Sequence, residues 1–119
     1  MLLDKDTKYT MDKQEKYLLI RLADSCFDSA IITELEKEIT KHNFKNFRNI
    51  IIDISKIKNL ELPVQNFLIK TDNYCRDEHG ILILVGVYNF KSLQILPTIS
   101  EAIDMVFLHE IEKDLLSSQ

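Results

Sequence analysis

The sequence predicts one α/β domain over residues 1–119, with a central mixed sheet of four to five strands and about three helices. A chain of 119 residues has the length of one ordinary domain. Two apolar runs, at 50–54 (interrupted by Asp53) and at 81–85, are typical of strands buried on both faces. Segments with helical spacing of apolar residues separate and follow these runs. The strands from Asn49 onward are therefore expected to be parallel and adjacent at the sheet centre.

The chain starts with two segments of strand character. Residues 8–12 alternate weakly between apolar and polar and predict an edge strand, whereas residues 16–23 predict a stronger one. The polar residues between them favour a turn. The two strands are therefore expected to form an antiparallel hairpin.

Two helices are predicted between the hairpin and the second apolar run. Asp28 or Ser29 is a favoured N-cap for the first, which is expected to end near residues 41–43. Pro63 is a typical first-turn residue of the second, and Gly80 is placed to end it in a left-handed conformation. The apolar stripe of this second helix is expected to be Val64, Phe67, Leu68, Thr71, Tyr74 and Cys75.

The last helix is apolar on more than one face. Residues 93–96 predict a short strand that Pro97 ends, and Thr98 or Ser100 then caps a helix to about Leu116. Its main stripe is expected to be Ile99, Ile103, Val106 and Phe107. Met105 and Leu108 fall outside this stripe. We expect both at a contact surface, with a second copy in a homodimer or with a regulatory partner; a helix enclosed by the core is the alternative.

Composition excludes several classes of function. The chain has two glycines, Gly80 and Gly86, which excludes the glycine-rich loops that bind dinucleotides and nucleoside triphosphates. The net charge of −4 argues against nucleic acid as a partner. No apolar run reaches the roughly 18–20 residues of a membrane span. Cys26 and Cys75 have no C-x-x-C neighbour, so we interpret them as buried apolar residues in a reducing cytoplasm.

Residue spacing does not assemble a catalytic or metal site. The segment His109–Lys113 lacks the second histidine of the zinc motif H-E-x-x-H, because position 113 is lysine. No nucleophile–base pair or metal set is evident, so we expect no enzymatic activity, cofactor or metal. A carrier of a small hydrophobic ligand, with a cavity beneath the last helix, and a small enzyme of unknown chemistry are the alternatives.

Basic and aromatic residues alternate after the first predicted helix, in a pattern that resembles a nucleic-acid patch. Because the net charge is negative, we interpret the cations as solvated and the aromatic rings as packed beneath a loop. The residues concerned are Lys41, Phe44, Lys45, Phe47 and Arg48.

The order of elements and two short motifs resemble the STAS domain of bacterial anti-sigma factor antagonists. Residues 51–55, IIDIS, are similar to the Asp-Leu-Ser with which a buried strand of that family ends. Residues 97–103, PTISEAI, are similar to the start of its last helix. The resemblance extends roughly from Tyr17 to Leu116. It implies a non-enzymatic regulatory protein that docks competitively on an anti-sigma factor or a kinase-like protein.

The resemblance also implies a docking surface that lacks the usual phosphorylation switch. In the family, an Asp-Ser-Ser-Gly loop leads into a helix, and the partner kinase phosphorylates a serine of this loop. Counted from Asp53, the loop falls here on residues 61–64, where Leu62 has no hydroxyl and Val64 replaces the glycine. Asp53 and Ser55 are equally typical of a turn that ends a strand. The expected docking residues are Asp53, Ser55, Glu61, Leu62, Pro63 and Val64.

Overall fold

The computed structural model describes residues 9–22, 29–41, 48–57, 60–87 and 92–117. In these residues the predicted order of elements is confirmed, and so is the α/β class. Cys26, Asp28, Phe44, Lys45 and Phe47 lie outside the described residues. The elements are β1 (Tyr9–Lys13), β2 (Leu18–Leu22), α1 (Ser29–Lys41), β3 (Ile50–Asp53), α2 (Leu62–Asp77), β4 (Leu82–Val85), β5 (Gln94–Leu96) and α3 (Ile99–Ser117).

The sheet has the strand order β1-β2-β3-β4-β5. The hairpin strands β1 and β2 are antiparallel, and every later pair is parallel. In the register, Ile52 of β3 lies opposite Ile20 on one side and Leu84 on the other. The two apolar runs are therefore adjacent, parallel and central, as predicted, because strands without polar alternation need cover on both faces.

Helices cover both faces of the sheet. In β3, Ile50 and Ile52 belong to the core beneath α1 and α2, whereas Ile51 belongs to the core beneath α3. The strand β4 divides its side chains in the same alternating way. The side chains of α1 and α2 in the first core are Ile31, Ile32, Leu35, Ile39, Val64, Phe67, Leu68 and Cys75.

The end of α2 differs from the prediction at the residue that turns left-handed. His79, with φ of 63°, adopts the left-handed conformation, and Gly80 does not. Gly80 is required for another reason, since a Cβ at this position would lie 1.9 Å from the carbonyl oxygen of Arg48. The amide of Gly80 donates a hydrogen bond of 2.7 Å to the carbonyl of Cys75. A close approach of two backbone segments therefore explains this glycine.

Two predicted helix stripes are wrong at single positions. Tyr74 of α2 is 39% exposed and Phe107 of α3 is 44% exposed, although both were expected in the core. Asp72 and Glu110 are buried in their helices instead. The carboxylate of Asp72 pairs with Arg76 at 3.0 Å, and Glu110 has partners on the sheet. These ionic partners make it possible to bury a carboxylate on a helix face.

Thr98, rather than Ser100, caps α3. The Thr98 hydroxyl accepts a hydrogen bond of 3.2 Å from the Glu101 amide and donates one of 3.0 Å to the Glu101 carboxylate. This reciprocal pair satisfies a backbone donor that has no partner inside the helix. Across the described ranges, no helix is at once long enough and apolar enough to cross a membrane.

Candidate functional site

The carboxyl ends of four parallel strands meet at one edge of the sheet, which we call the carboxyl edge. Here Asp53 lies opposite Arg21 on one side and opposite Val85 on the other, and Val85 lies opposite Leu96. The loops that lead from β3 to α2 and onward from β4 start at this edge, as does the turn into α3. Loops that a rigid sheet positions side by side in this way often carry the binding residues of a domain.

Asp53 and Ser55 form the turn that ends β3. The Ser55 amide donates a hydrogen bond of 2.9 Å to the Asp53 carboxylate, and the Ile57 amide donates one of 3.0 Å to the Ile54 carbonyl. Asp53 is half-buried and Ser55 is exposed. The Asp53 carboxylate therefore has a structural role in the turn, while the Ser55 side chain stays accessible at the carboxyl edge.

The start of α2 presents three exposed residues at the same edge. Glu61 is the N-cap residue in an extended conformation, and its side chain makes no capping hydrogen bond. Leu62 is 67% exposed, and Pro63, also exposed, occupies the first turn. Proline is favoured there because its missing N–H would have no partner within the helix. Val64, by contrast, is 2% exposed and packs in the core, so it positions this turn from below.

Val87 is a further residue of this edge that the sequence patterns did not single out. It lies two residues after the end of β4 and is 92% exposed. The available signal was its position two residues after a fully apolar strand, which brings it to the carboxyl edge in any parallel sheet. We give the name docking surface to the half-buried Asp53 together with the exposed residues of this edge, which are Ser55, Glu61, Leu62, Pro63 and Val87.

The structure does not bring Met105 and Leu108 to the docking surface. Helix α3 begins at the carboxyl edge and runs to the opposite, amino edge, where Glu110 contacts Asn49 just before β3. Met105 is half-buried and packs against the core beneath α3, whereas Leu108 is 51% exposed. The two side chains therefore differ in environment, and only Leu108 presents a large apolar surface.

A buried polar network at the amino edge holds α3 against the sheet. Asn49 donates a hydrogen bond of 2.8 Å to the Glu110 carboxylate and another of 3.0 Å to the Lys16 carbonyl. Its side-chain oxygen accepts a bond of 3.1 Å from the Ile81 amide. Arg48 completes the network with two contacts to Glu110, of 2.6 and 3.2 Å. This bidentate geometry is the strong form of a carboxylate–guanidinium pair.

The network sets the protonation of Glu110. The hydrogen bond from Arg48, assisted by that from Asn49, lowers the pKa of Glu110 to about 2, although burial acts in the opposite direction. Glu110 is 7% exposed and Asn49 is 1% exposed. The sequence interpretation missed this network, because Arg48 was expected to be solvated and Glu110 was considered only as part of a zinc motif. Its partners come from segments far apart in the chain.

Two solved structures have the same architecture. The anti-sigma factor antagonist SpoIIAA in its unphosphorylated form superposes with a TM-score of 0.70 at 16% identity, covering 82% of this chain and 96% of that protein. An anti-sigma factor antagonist from Mycobacterium paratuberculosis superposes with a TM-score of 0.64 at 16% identity, covering 88% and 98%. The chain has the STAS fold. The fold expected from the sequence resemblance is thereby confirmed.

The likeness to these antagonists is one of fold. At 16% identity it extends over most of both chains. Neither a protein-family model nor a curated protein sequence matches this chain.

Two cavities of the STAS fold lie beside the carboxyl-terminal half of α3. One, of about 330 Å³, is lined by Arg76, His79, His109, Glu112 and Lys113 together with Gly80 and Leu116. The other, of about 270 Å³, shares Arg76, Gly80 and His109 and adds Asp72, Ile81, Leu82 and Gln94. Both cavities are partly open to solvent, and charged side chains form part of their walls, so neither is the enclosed apolar chamber that a carrier of a hydrophobic ligand requires.

Cys75 has the character of a structural cysteine. Its side chain is fully buried in α2, and this burial, with the charge of Asp72 nearby, raises the pKa of the thiol to about 12. A thiol of this pKa is almost wholly protonated at neutral pH and is a poor nucleophile. In the described part of the chain, no group of three His, Cys, Asp or Glu residues is placed to hold a metal ion.

Proposed function

We propose that this chain is a non-enzymatic regulatory module that docks competitively on a regulatory protein, an anti-sigma factor or a kinase-like partner, in the bacterial cytoplasm. The observation that carries the proposal is the exposure of Leu62, which is 67% exposed at the first residue of α2. By the family resemblance, this position corresponds to the phosphorylatable serine. A STAS fold shared with two anti-sigma factor antagonists supports the same role.

The docking surface combines apolar and acidic groups. Leu62 and Val87 follow adjacent parallel strands and expose large fractions of their side chains at one edge. Burying an exposed leucine or valine against a partner stabilises a complex by roughly 1–2 kcal/mol for each residue. Glu61 beside Leu62 adds a carboxylate at the border of this apolar contact. The complementary partner surface is an apolar pocket with basic residues at its rim.

Docking through this surface is not switched by phosphate at position 62. Phosphoryl transfer needs a hydroxyl at the acceptor residue, and Leu62 has none. Val64 lies in the core, so the helix start is held in one position by packing. We propose that the module is constitutively competent to dock, and that the amount of partner or chain determines occupancy.

Affinity capture followed by competition tests the proposal. Tagged wild-type chain is used as bait in extracts of the native cell, and a protein that it retains but the tag alone does not is purified. Titration with the purified partner is expected to give at least tenfold weaker binding for Leu62→Glu, because a charge enters a desolvated contact. Ile69→Glu is the matched control, since Ile69 is a partly exposed apolar residue of the same helix. Equal binding by wild type and Leu62→Glu contradicts docking through this surface.

A further inference from the structure

Helix α3 carries a row of exposed apolar side chains on its outer side, which we call the outward ridge: Phe107, Leu108, Ile111 and Leu115. They are 44%, 51%, 55% and 61% exposed, respectively. With 3.6 residues per turn, the four side chains fall within an arc of about 100°. Ala102 and Val106, which are fully buried against the sheet, fall on the opposite side of the helix. The outward ridge therefore points away from the core.

The spacing of the outward ridge suits another helix. Phe107, Ile111 and Leu115 are four residues apart, so they form one continuous row about 12 Å long. Rows at this spacing pack into the grooves between the side chains of a neighbouring helix. With about half of each side chain exposed, the ridge offers of order 400 Å² of apolar surface, the size of patches that are often functional.

The exposed charged side chains that α3 itself carries beside the outward ridge are acidic. Glu101, Asp104, Glu112 and Asp114 are exposed on the outer half of α3, and Asp104 lies one turn before Phe107 in line with the ridge. Lys113 is half-buried on the inner side of the helix. A second copy of this chain would bring a second set of carboxylates to the contact, between molecules that each carry a net charge of −4. An anionic lipid surface is disfavoured for the same reason.

We propose that the outward ridge binds an amphipathic helix of a partner protein whose apolar stripe is bordered by lysine and arginine. The apolar stripe packs on Phe107, Ile111 and Leu115, and the long basic side chains reach past it to the carboxylates of Asp104 and Glu112. This contact lies on α3, away from the docking surface at the start of α2. It is independent of the proposed function, since one surface can bind while the other does not.

Two synthetic 14-residue peptides probe the ridge directly. Both have leucine at helical spacing on one face; the remaining positions are lysine in one peptide and glutamate in the other. We expect the lysine peptide to bind the ¹⁵N-labelled chain, with amide shifts confined to residues 100–117. The affinity is expected to fall by at least tenfold between 50 and 300 mM salt, because the carboxylates contribute to binding. The glutamate peptide is expected not to bind.

Three variants separate the apolar and charged contributions. Ile111→Glu combined with Leu115→Glu is expected to weaken binding of the lysine peptide by at least tenfold, with an unchanged melting curve because both side chains are mostly exposed. Ile69→Glu on α2 is the matched control and is expected to bind as wild type does. Asp104→Lys combined with Glu112→Lys keeps the apolar ridge intact and is expected to reverse the preference between the two peptides.

Five outcomes overturn the proposal. Equal binding of the two peptides, or shifts spread over the sheet and α2, would show that the ridge does not select a basic helix. Unchanged binding by both double variants would place the contact elsewhere. A dimer of wild-type chain in sedimentation that Ile111→Glu with Leu115→Glu dissociates would make a second copy the occupant. Ridge-dependent binding to phosphatidylglycerol vesicles would make the occupant a membrane.

Discussion

Asn49 donates a hydrogen bond of 2.8 Å to the carboxylate of Glu110, a residue 61 positions further along the chain. The same Asn49 side chain contacts the Lys16 carbonyl before β2 and the Ile81 amide before β4. One amide therefore connects three neighbouring strands to the helix that covers them. Because both side chains are buried, losing either partner removes a hydrogen bond that water cannot readily replace.

Removing Glu110 is expected to destabilise the fold. Glu110→Ala leaves Arg48 without its carboxylate and Asn49 with one acceptor fewer, so we expect a loss of about 2–4 kcal/mol in the free energy of unfolding. Urea unfolding at pH 7 measures this loss. Glu112→Ala, at an exposed carboxylate of the same helix, is the control and is expected to change stability by less than about 0.5 kcal/mol. Equal losses for both variants would contradict a specific role of the network.

The same carboxylate predicts how stability depends on pH. In the folded chain the pKa of Glu110 is lowered from its ordinary value of 4.5 to about 2. Its contribution is therefore complete above about pH 4.5 and is lost as the pH falls towards 2. We expect the stability difference between wild type and Glu110→Gln to shrink between pH 5 and about 2.5. A difference that stays constant over this range would show that Glu110 does not titrate with a lowered pKa.

The geometry at the end of α2 predicts that substitutions at two neighbouring residues change stability in opposite directions. Gly80→Ala places a Cβ at 1.9 Å from the Arg48 carbonyl oxygen, so we expect a loss of about 3 kcal/mol or more as the backbone is forced apart. His79→Gly removes the side chain from a residue with φ of 63°, so we expect no loss and a gain of up to about 1 kcal/mol. Thermal unfolding of both variants checks the pair. A tolerated Gly80→Ala would show that the two segments separate easily.

The cap of α3 gives a matched pair of hydroxyl variants. Thr98→Ala removes both hydrogen bonds to Glu101, so we expect a loss of about 1 kcal/mol. Ser100 is exposed and lies within the first turn of the helix, so Ser100→Ala is expected to be nearly neutral. Denaturant unfolding distinguishes the two. If Ser100→Ala is the more damaging change, the cap has been assigned to the wrong residue.

The docking surface predicts the phosphorylation state of the chain. Leu62 has no hydroxyl, so we expect chain purified from the native cell to carry no phosphate on the loop between Ser55 and Val64. The same result is expected after incubation with any kinase-like protein that the affinity capture identifies. Intact-mass and peptide-mass analysis measure this. Leu62→Ser supplies the missing acceptor at an exposed helix start and is expected to stay folded, because Leu62 is 67% exposed. A stoichiometric phosphate on this loop of wild type would contradict the absence of a switch.

Most positions of the docking surface could be predicted from local sequence signals. Pro63 predicted the start of α2, and counting from Asp53 placed Glu61 and Leu62 at that start. The helical stripe predicted the burial of Val64, whereas the family loop placed the same residue on the docking surface. In the structure its side chain packs in the core. Val87 belongs to the surface only because β4 lies beside β3 in the sheet. The order of strands in the sheet decides which loops lie side by side, and the local sequence pattern does not contain this order.

The amino-acid sequence by itself determined the class of the fold, the order of its elements and the central position of the two apolar strands. Hydrophobic periodicity and helix-start residues are local properties, and they can be recognised in any short stretch of the sequence. Only the tertiary structure decided that Asn49, Arg48 and Glu110 meet, that His79 rather than Gly80 turns left-handed, and that Phe107 faces outward. Each of these features depends on how α3 and the Arg48 segment pack against residues distant in the chain. Close packing between segments decides such contacts, and the sequence within one segment does not.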